Sequence, residues 1–330
     1  MRLKQEINYS LWCDFVERDF LENEFQEIIN NETVQGATSN PAIFEQSISN
    51  SPAYAQQKLM LQANHPKKIY EQLAITDIKR AAQIMHPLYE KDKNDGFISI
   101  EVDPSLCDDM MGTIEEGARL NAQINEENVM IKVPATEAGY GAMRELTSMG
   151  IHVNATLIFS PQQAIECAKA LDEGIAHSGR DIKAVISVFV SRFDRLCDKE
   201  LSTKKLQTSK LGIMNAALCY HEIQKFDNAN IRTLFASTGV KGDTLKPSYY
   251  IDELIYPNSV NTAPLATIKA WVQNGVKEPT KLPTLQECQD YFAALKHAQV
   301  DMPKIYATLL KDGLDAFKVS FIQLLEKVLK

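Results

Sequence analysis

The chain has 330 residues, 45% of them hydrophobic and 24% charged, with a formal charge of −8, an ordinary composition for a globular protein. That balance excludes the basic excess of a nucleic-acid binder, and no uninterrupted apolar run approaches the ~20 residues that a membrane helix needs. Six scattered cysteines with no CxxC and no zinc-type grouping, behind an N-terminus (MRLKQEINYS) without the apolar core of a secretory signal, point to free thiols in a reducing cytoplasm and to no bound metal.

In chain order, short β-branched or aromatic runs alternate with longer helical patterns. A first strand over residues 9–15 leads into a helix over 15–28, which Asp14 is placed to cap. The second strand, 33–39, ends just before Asn40 and Pro41, a pair that favours a turn. A helix over 76–91 precedes the third strand, 96–102, and a helix over 105–123 follows it. The fourth strand, 128–134, is followed by a helix over 139–149, and the fifth, 151–159, by one over 161–176. The sixth strand covers 182–190, a helix 204–225, the seventh strand 231–237, and a weaker eighth lies near 259–262. Residues 277–283, with two prolines, read as a loop. From Met302 onward, Leu309, Leu310, Leu314, Phe317, Phe321, Leu324, Leu325 and Val328 follow helical spacing. That spacing predicts a long amphipathic C-terminal helix packed back over the body, either covering the barrel floor or serving a dimer.

Strand and helix repeated about eight times, with no repeat, low-complexity tract or convincing linker, predict one domain over 1–330 built on a parallel sheet. A closed (β/α)8 barrel explains one further regularity. Asp14, Asn40, Glu101, Lys132, Asn154 with Thr156, Ser187 and Ser237 all fall at the carboxyl ends of predicted strands. In such a barrel those ends converge on the face where active sites are built.

Lys132 is the most telling of these residues. NVMIKVPAT (128–136) sets it among Val129, Met130, Ile131 and Val133 in a strand that Pro134 stops. Burial among apolar neighbours disfavours an ammonium, and an uncharged amine can attack a carbonyl carbon. The alternatives are a side chain that snorkels to solvent or one paired with a carboxylate.

GATSNPAIF (36–44), SIEVDP (99–104), NVMIKVPAT, VNATLIFS (153–160), ISVFVSRFD (186–194) and FASTG (235–239) resemble, in order, the strand signatures of the transaldolase family. The form with ASTGVK, SVNTAP and a long C-terminal region is similar to a bacterial and plant subgroup. The resemblance implies a (β/α)8 TIM barrel, circularly permuted relative to other class I aldolases, acting as a transferase of the pentose phosphate pathway. A dihydroxyacetone unit would pass from sedoheptulose 7-phosphate to glyceraldehyde 3-phosphate, giving erythrose 4-phosphate and fructose 6-phosphate. It implies no cofactor, sugar phosphates as the small-molecule partners, no nucleic acid, no membrane, and a monomer or homodimer.

By the same resemblance, Lys132 forms the Schiff base and Asp14 exchanges a proton with the C4 hydroxyl. Glu101 shuttles protons with Thr156 and a water, and Asp103 is a loop or capping residue. Thr38, Asn40, Asn154 and Ser187 line the sugar pocket. Arg192 and Ser237 bind phosphate. Where the better-known pattern has a second arginine this chain has Gly239, and Lys241 is inferred to substitute for it. Phe189 stands where a phenylalanine goes with transfer and a tyrosine with cleavage; glutamate at 101, where aldolases tend to carry glutamine, also favours transfer. Two other functions remain open at this level: a fructose-6-phosphate aldolase on the same scaffold, or an inactive barrel that senses sugar phosphates.

Overall fold

The computed structural model describes residues 2–328. Each expected strand forms: β1 Ser10–Cys13, β2 Gly36–Thr38, β3 Phe97–Glu101, β4 Val129–Pro134, β5 His152–Ile158, β6 Ala184–Phe189, β7 Ile231–Ala236 and β8 Ser259–Ala263. All are parallel and pair in chain order. The short β8 returns to β1, from Ser10↔Val260 to Cys13↔Ala263, and closes the barrel.

The helices lie outside and between the strands. α1 (Arg2–Ile7) precedes β1, and α2 (Arg18–Glu22) and α3 (Glu24–Asn30) link it to β2. α4 (Pro41–Asn50), α5 (Ala55–Leu61) and α6 (Pro66–Lys91) connect β2 to β3. α7 (Met110–Ile124), α8 (Glu137–Ser148) and α9 (Pro161–Ser178) follow β3, β4 and β5 in turn. α10 (Ser191–Thr203) and α11 (Leu211–Gln224) follow β6, and α12 (Tyr249–Asp252) follows β7. α13 (Leu265–Asn274), α14 (Leu285–His297) and α15 (Met302–Lys327) complete the chain after β8.

Strand alternation sorts the side chains into two cores. Leu11, Ile98, Ile100, Ile131, Val133, Val153, Ile186 and Val188 point outward to the helices. Trp12, Phe97, Met130, Val185, Leu234 and Val260 fill the barrel's centre. Both faces are therefore buried, which is why these strands read as continuous apolar runs. Gly36 is required here, because a Cβ on it would lie 2.5 Å from the indole of Trp12.

Helix boundaries differ more from the sequence reading. The helix expected over 15–28 is broken into α2 and α3, and Glu17, whose carboxylate accepts from the Phe20 amide at 2.8 Å, supplies the cap. Asp14 is thereby free of that duty. α6 begins ten residues before the expected start, at Pro66, a residue preorganised for the first helical turn. The helix expected over 204–225 starts only at Leu211, and residues 204–210 form a break between α10 and α11. Lys205 and Ser209 adopt left-handed backbone conformations there, and Asp194 Oδ1 accepts from the Gly212 amide at 2.9 Å to restart the chain as α11.

α15 requires the largest correction. It packs on α4, α6 and α10, on β5 and on the turn after β3, so it crosses the carboxyl ends of the strands and does not cover the floor. The floor is sealed by Arg232, which donates to Asn8 O at 2.7 Å, Ser259 O at 2.8 Å, Ser10 Oγ at 2.9 Å and Asn94 O at 3.1 Å.

Candidate active site

Inward parity places Lys132 one layer above Met130, at the carboxyl end of β4. The strand register pairs Glu101 with Lys132 on one side and Lys132 with Asn154 on the other. Lys132 is 5% exposed and Glu101 6%, and Glu101 Oε2 lies 3.5 Å from Lys132 Nζ. The snorkelling alternative is excluded by this burial. The pairing alternative holds, and it is compatible with chemistry because the pair is sparsely bonded. Lys132 Nζ donates to the Ser39 carbonyl at 3.1 Å, whereas Glu101 Oε2 has no hydrogen-bond partner. Burial drives the Glu101 carboxyl up to about 7, with Lys132 opposing that rise and Asp14 adding to it.

Asp14 follows β1, its amide bonded to Ala263 O at 2.9 Å. The residue is partly exposed, yet its carboxyl is deep enough in the mouth that burial raises its pKa, against the pull of Lys132 and of a hydrogen bond from Thr38. That bond, Thr38 Oγ1 to Asp14 Oδ1, is 2.6 Å long, and Thr38 Oγ1 lies 2.8 Å from Thr262 Oγ1. Thr262 thus fixes Thr38, which fixes Asp14. Across the mouth, Ser187 Oγ donates to Asn154 Oδ1 at 2.7 Å and Asn154 Nδ2 to Ser99 Oγ at 3.1 Å. Thr156 Oγ1 is buried without a partner. The unpartnered oxygens of Thr156 and Glu101 therefore stand on the strands either side of the one that carries Lys132, where a water or a substrate hydroxyl can bond them.

Immediately after Thr156 the chain strains. A register shift between Ala155 and Ile158 marks a bulge, and Leu157 has φ of 60°. A leucine held in that region costs about 1–3 kcal/mol, and here the bulge turns the Leu157 side chain toward α15.

A cationic side chain and two hydroxyls collect at the start of α10. The Arg192 guanidinium lies over the rings of Phe189, at 5.0 Å, and Phe159, at 6.0 Å. Burial lowers its pKa and Arg195 adds to this, while Asp312 and Glu101 favour its charge. Ser237, itself left-handed with φ of 55°, lies 3.1 Å from Ser191 through their hydroxyls. The Ser191 amide is itself bonded to Ser237 O at 3.1 Å, so the groups this corner offers an anion are the guanidinium and the two hydroxyls.

A family profile described as Transaldolase/Fructose-6-phosphate aldolase matches residues 11–328. The chain belongs to this family of enzymes. It is 46% identical, over 97% of its length, to a protein named transaldolase from Campylobacter jejuni subsp. doylei, covering 99% of that relative. It is also 46% identical to a protein of the same name from Helicobacter pylori, covering 96% of this chain and 98% of the relative.

The barrel brings Lys132, Asp14, Glu101, Thr156, Thr38, Asn154, Ser187, Phe189, Arg192 and Ser237 to one mouth. Asn40 lies at the same end, but its Oδ1 accepts from the Ile43 amide at 3.0 Å and caps α4. The local backbone role is therefore real, and it leaves the Asn40 amide nitrogen as the group with no bond to a described residue. Asp103 caps the turn at Ser105 and pairs with Lys67 at 2.7 Å, as a structural residue. Lys241 is exposed on the loop after β7, and no hydrogen bond or ion pair to a described residue fixes it. Three contributors were not foreseen: the Ser39 carbonyl, Thr262 and Phe317, whose ring centroid is 5.7 Å from Lys132 Nζ. Thr262 was within reach, since it shares the inward parity of Val260 on β8. A backbone carbonyl carries no sequence signal.

No helix among the described residues is long and apolar enough to cross a membrane, and no group of three or more His, Cys, Asp or Glu among them is arranged to hold a metal ion.

Proposed function

We propose that this enzyme is a transaldolase of the pentose phosphate pathway, with Lys132 as its Schiff-base lysine. The observation that carries the reading is the buried, under-bonded Lys132–Glu101 pair at 3.5 Å in the barrel mouth. The amine of Lys132 attacks the ketone of sedoheptulose 7-phosphate, and Glu101, with its raised pKa, donates the proton that carries off the carbinolamine hydroxyl as water. Thr156 hydrogen-bonds that water. The resulting iminium draws the electron pair of the breaking C3–C4 bond, while Asp14, aimed by Thr38, takes the proton of the C4 hydroxyl. Erythrose 4-phosphate leaves. The retained enamine adds to glyceraldehyde 3-phosphate, the new alkoxide regains its proton from Asp14, and hydrolysis frees fructose 6-phosphate.

Asn154, Ser187 and the Asn40 amide hold the donor hydroxyls, a set that discriminates against analogues lacking them. Arg192 and Ser237 take the phosphate, with Lys241 on the loop after β7 as the second cation. The chemistry calls for no metal or organic cofactor, since the iminium supplies the electron sink. Transfer is favoured over simple cleavage by Phe189, which offers no proton to the enamine. Six buried free thiols accord with work in the cytoplasm.

Borohydride reduction with fructose 6-phosphate, followed by peptide mass spectrometry, tests the assignment. A three-carbon adduct on Lys132 is expected, and its absence there overturns the reading. An assay with and without erythrose 4-phosphate separates the two activities: sustained triose release from fructose 6-phosphate alone would identify an aldolase.

A further inference from the structure

α15 lies across the mouth with two residues facing inward one turn apart, Gly313 and Phe317. Gly313 rests on the phosphate side. A methyl there would lie 3.1 Å from Leu157 Cδ2 and 3.4 Å from both Arg192 Nη1 and Phe159 Cε2, so a larger residue would make those side chains or the helix give by a few tenths of an ångström. Phe317 stands on the lysine side, 7% exposed, with its ring 5.7 Å from Lys132 Nζ. Phe189 and Phe159, 5.3 Å apart, form a second apolar wall. The ring nearest the amine is thus one that neither donates nor accepts a proton.

We propose that Phe317 is a specificity-determining residue that commits the bound three-carbon fragment to transfer, by keeping water from the enamine carbon until an acceptor aldehyde arrives. This rests on Lys132 forming the Schiff base. After the donor's C3–C4 bond breaks, the enamine carbon holds a reactive electron pair with two fates. It attacks the acceptor's carbonyl carbon, forming a C–C bond as Asp14 protonates the acceptor oxygen. Alternatively the same carbon takes a proton from water, which consumes the nucleophile. Hydroxide equivalent then adds to the iminium carbon as water, the C–N bond breaks, and dihydroxyacetone leaves with Lys132 restored as an amine. The second path requires a proton donor within reach of that carbon, and the Phe317 ring occupies the side of the fragment that α15 covers. The ring lies within about 6 Å of the nitrogen that becomes the iminium, a range at which an aromatic face also attracts a cation.

The bulge at Leu157 and the glycine at 313 act together in this arrangement. The strained leucine supplies the ledge on which the helix sits, and Gly313 lets it sit close. The depth of α15, and with it the position of the Phe317 ring, is set at a point one helical turn away from the ring itself.

The test compares wild type, Phe317→Ala, Phe317→Leu and Gly313→Ala with fructose 6-phosphate, with and without erythrose 4-phosphate. The ratio of glyceraldehyde 3-phosphate released without acceptor to sedoheptulose 7-phosphate formed with it is the readout. Wild type releases about one triose per active site and stops. Phe317→Ala is expected to continue releasing it, raising the ratio at least about 10-fold, with Phe317→Leu and Gly313→Ala intermediate. A ratio within twofold of wild type in the folded variants overturns the proposal. Borohydride trapping is run on each protein: no adduct on Lys132 in wild type sinks the Schiff-base reading itself, whereas an adduct with an unchanged ratio sinks only the role of Phe317. Should Phe317→Ala fail to fold by circular dichroism, the Phe317→Leu and Gly313→Ala ratios decide.

Discussion

The barrel holds two buried basic side chains at its opposite ends, and each lies 3.5 Å from an acidic one: Arg232 with Asp95 at the floor, Lys132 with Glu101 at the mouth. Their burial is alike, with side chains 3% and 6% exposed. Their bonding is not. Arg232 donates to three carbonyls and a hydroxyl, leaving only Nε unpartnered among its nitrogens, and Asp95 also accepts from Ser10 at 2.7 Å and pairs with Lys4 at 2.8 Å. Lys132 has one carbonyl, and the facing oxygen of Glu101 has no hydrogen bond. A saturated buried pair fixes structure, because removing either partner strands a charge. An unsaturated one retains donors and acceptors for a substrate. Burial and pairing distance alone do not distinguish a reactive lysine from a structural cation; the count of satisfied bonds does.

The contrast can be broken at either end. Lys132→Met should reduce turnover and borohydride trapping to background while leaving the unfolding free energy from urea titration within about 1 kcal/mol of wild type, since Glu101 can remain protonated once its partner is gone. Retained turnover would refute the assignment. Arg232→Met should do the reverse, losing about 3–5 kcal/mol of stability by urea unfolding with kcat unchanged within about twofold.

Glu101→Gln should slow Schiff-base formation by roughly 10²–10⁴-fold, the usual range for a lost general acid. It should also remove the wild-type decline in trapping rate as pH rises through about 7, where the carboxyl loses the proton it donates. The stability sign follows from the same shift. The folded pKa of Glu101 is raised above its ordinary 4.5, so its stabilising contribution is full below 4.5 and is lost as pH rises through about 7. Wild type should therefore lose stability relative to Glu101→Gln between pH 5 and 8, a trend that paired thermal melts can check.

The smallest effect is expected from Thr38→Val, which removes the hydrogen bond that lowers the Asp14 pKa. The limb of the kcat/KM profile that reports Asp14 should move to higher pH, with a loss of about 10-fold at neutral pH, corresponding to ~1.4 kcal/mol, close to the low end of the range for a hydrogen bond to a charged group. An unmoved limb would show that Asp14 is aimed by something other than Thr38.

By itself the sequence determined the strands, their order and most of the mouth. Each strand is a short run buried on both faces, and a polar residue ending such a run is conspicuous, as with Lys132, Glu101 and Asn154. The helices were less legible. Nothing apolar marks the break over residues 204–210, where left-handed Lys205 and Ser209 and the carboxylates of Asp194 and Asp198 redirect the chain. Tertiary structure alone decided what met what across the barrel. Thr262 reaches Thr38 over 224 positions and the Ser39 carbonyl reaches Lys132 over 93, separations at which periodicity carries no information. The same holds for α15: its spacing announced an apolar face, but the end of the barrel it covers was decided by its packing on α4, α6, α10, β5 and the turn after β3, segments far apart in the chain.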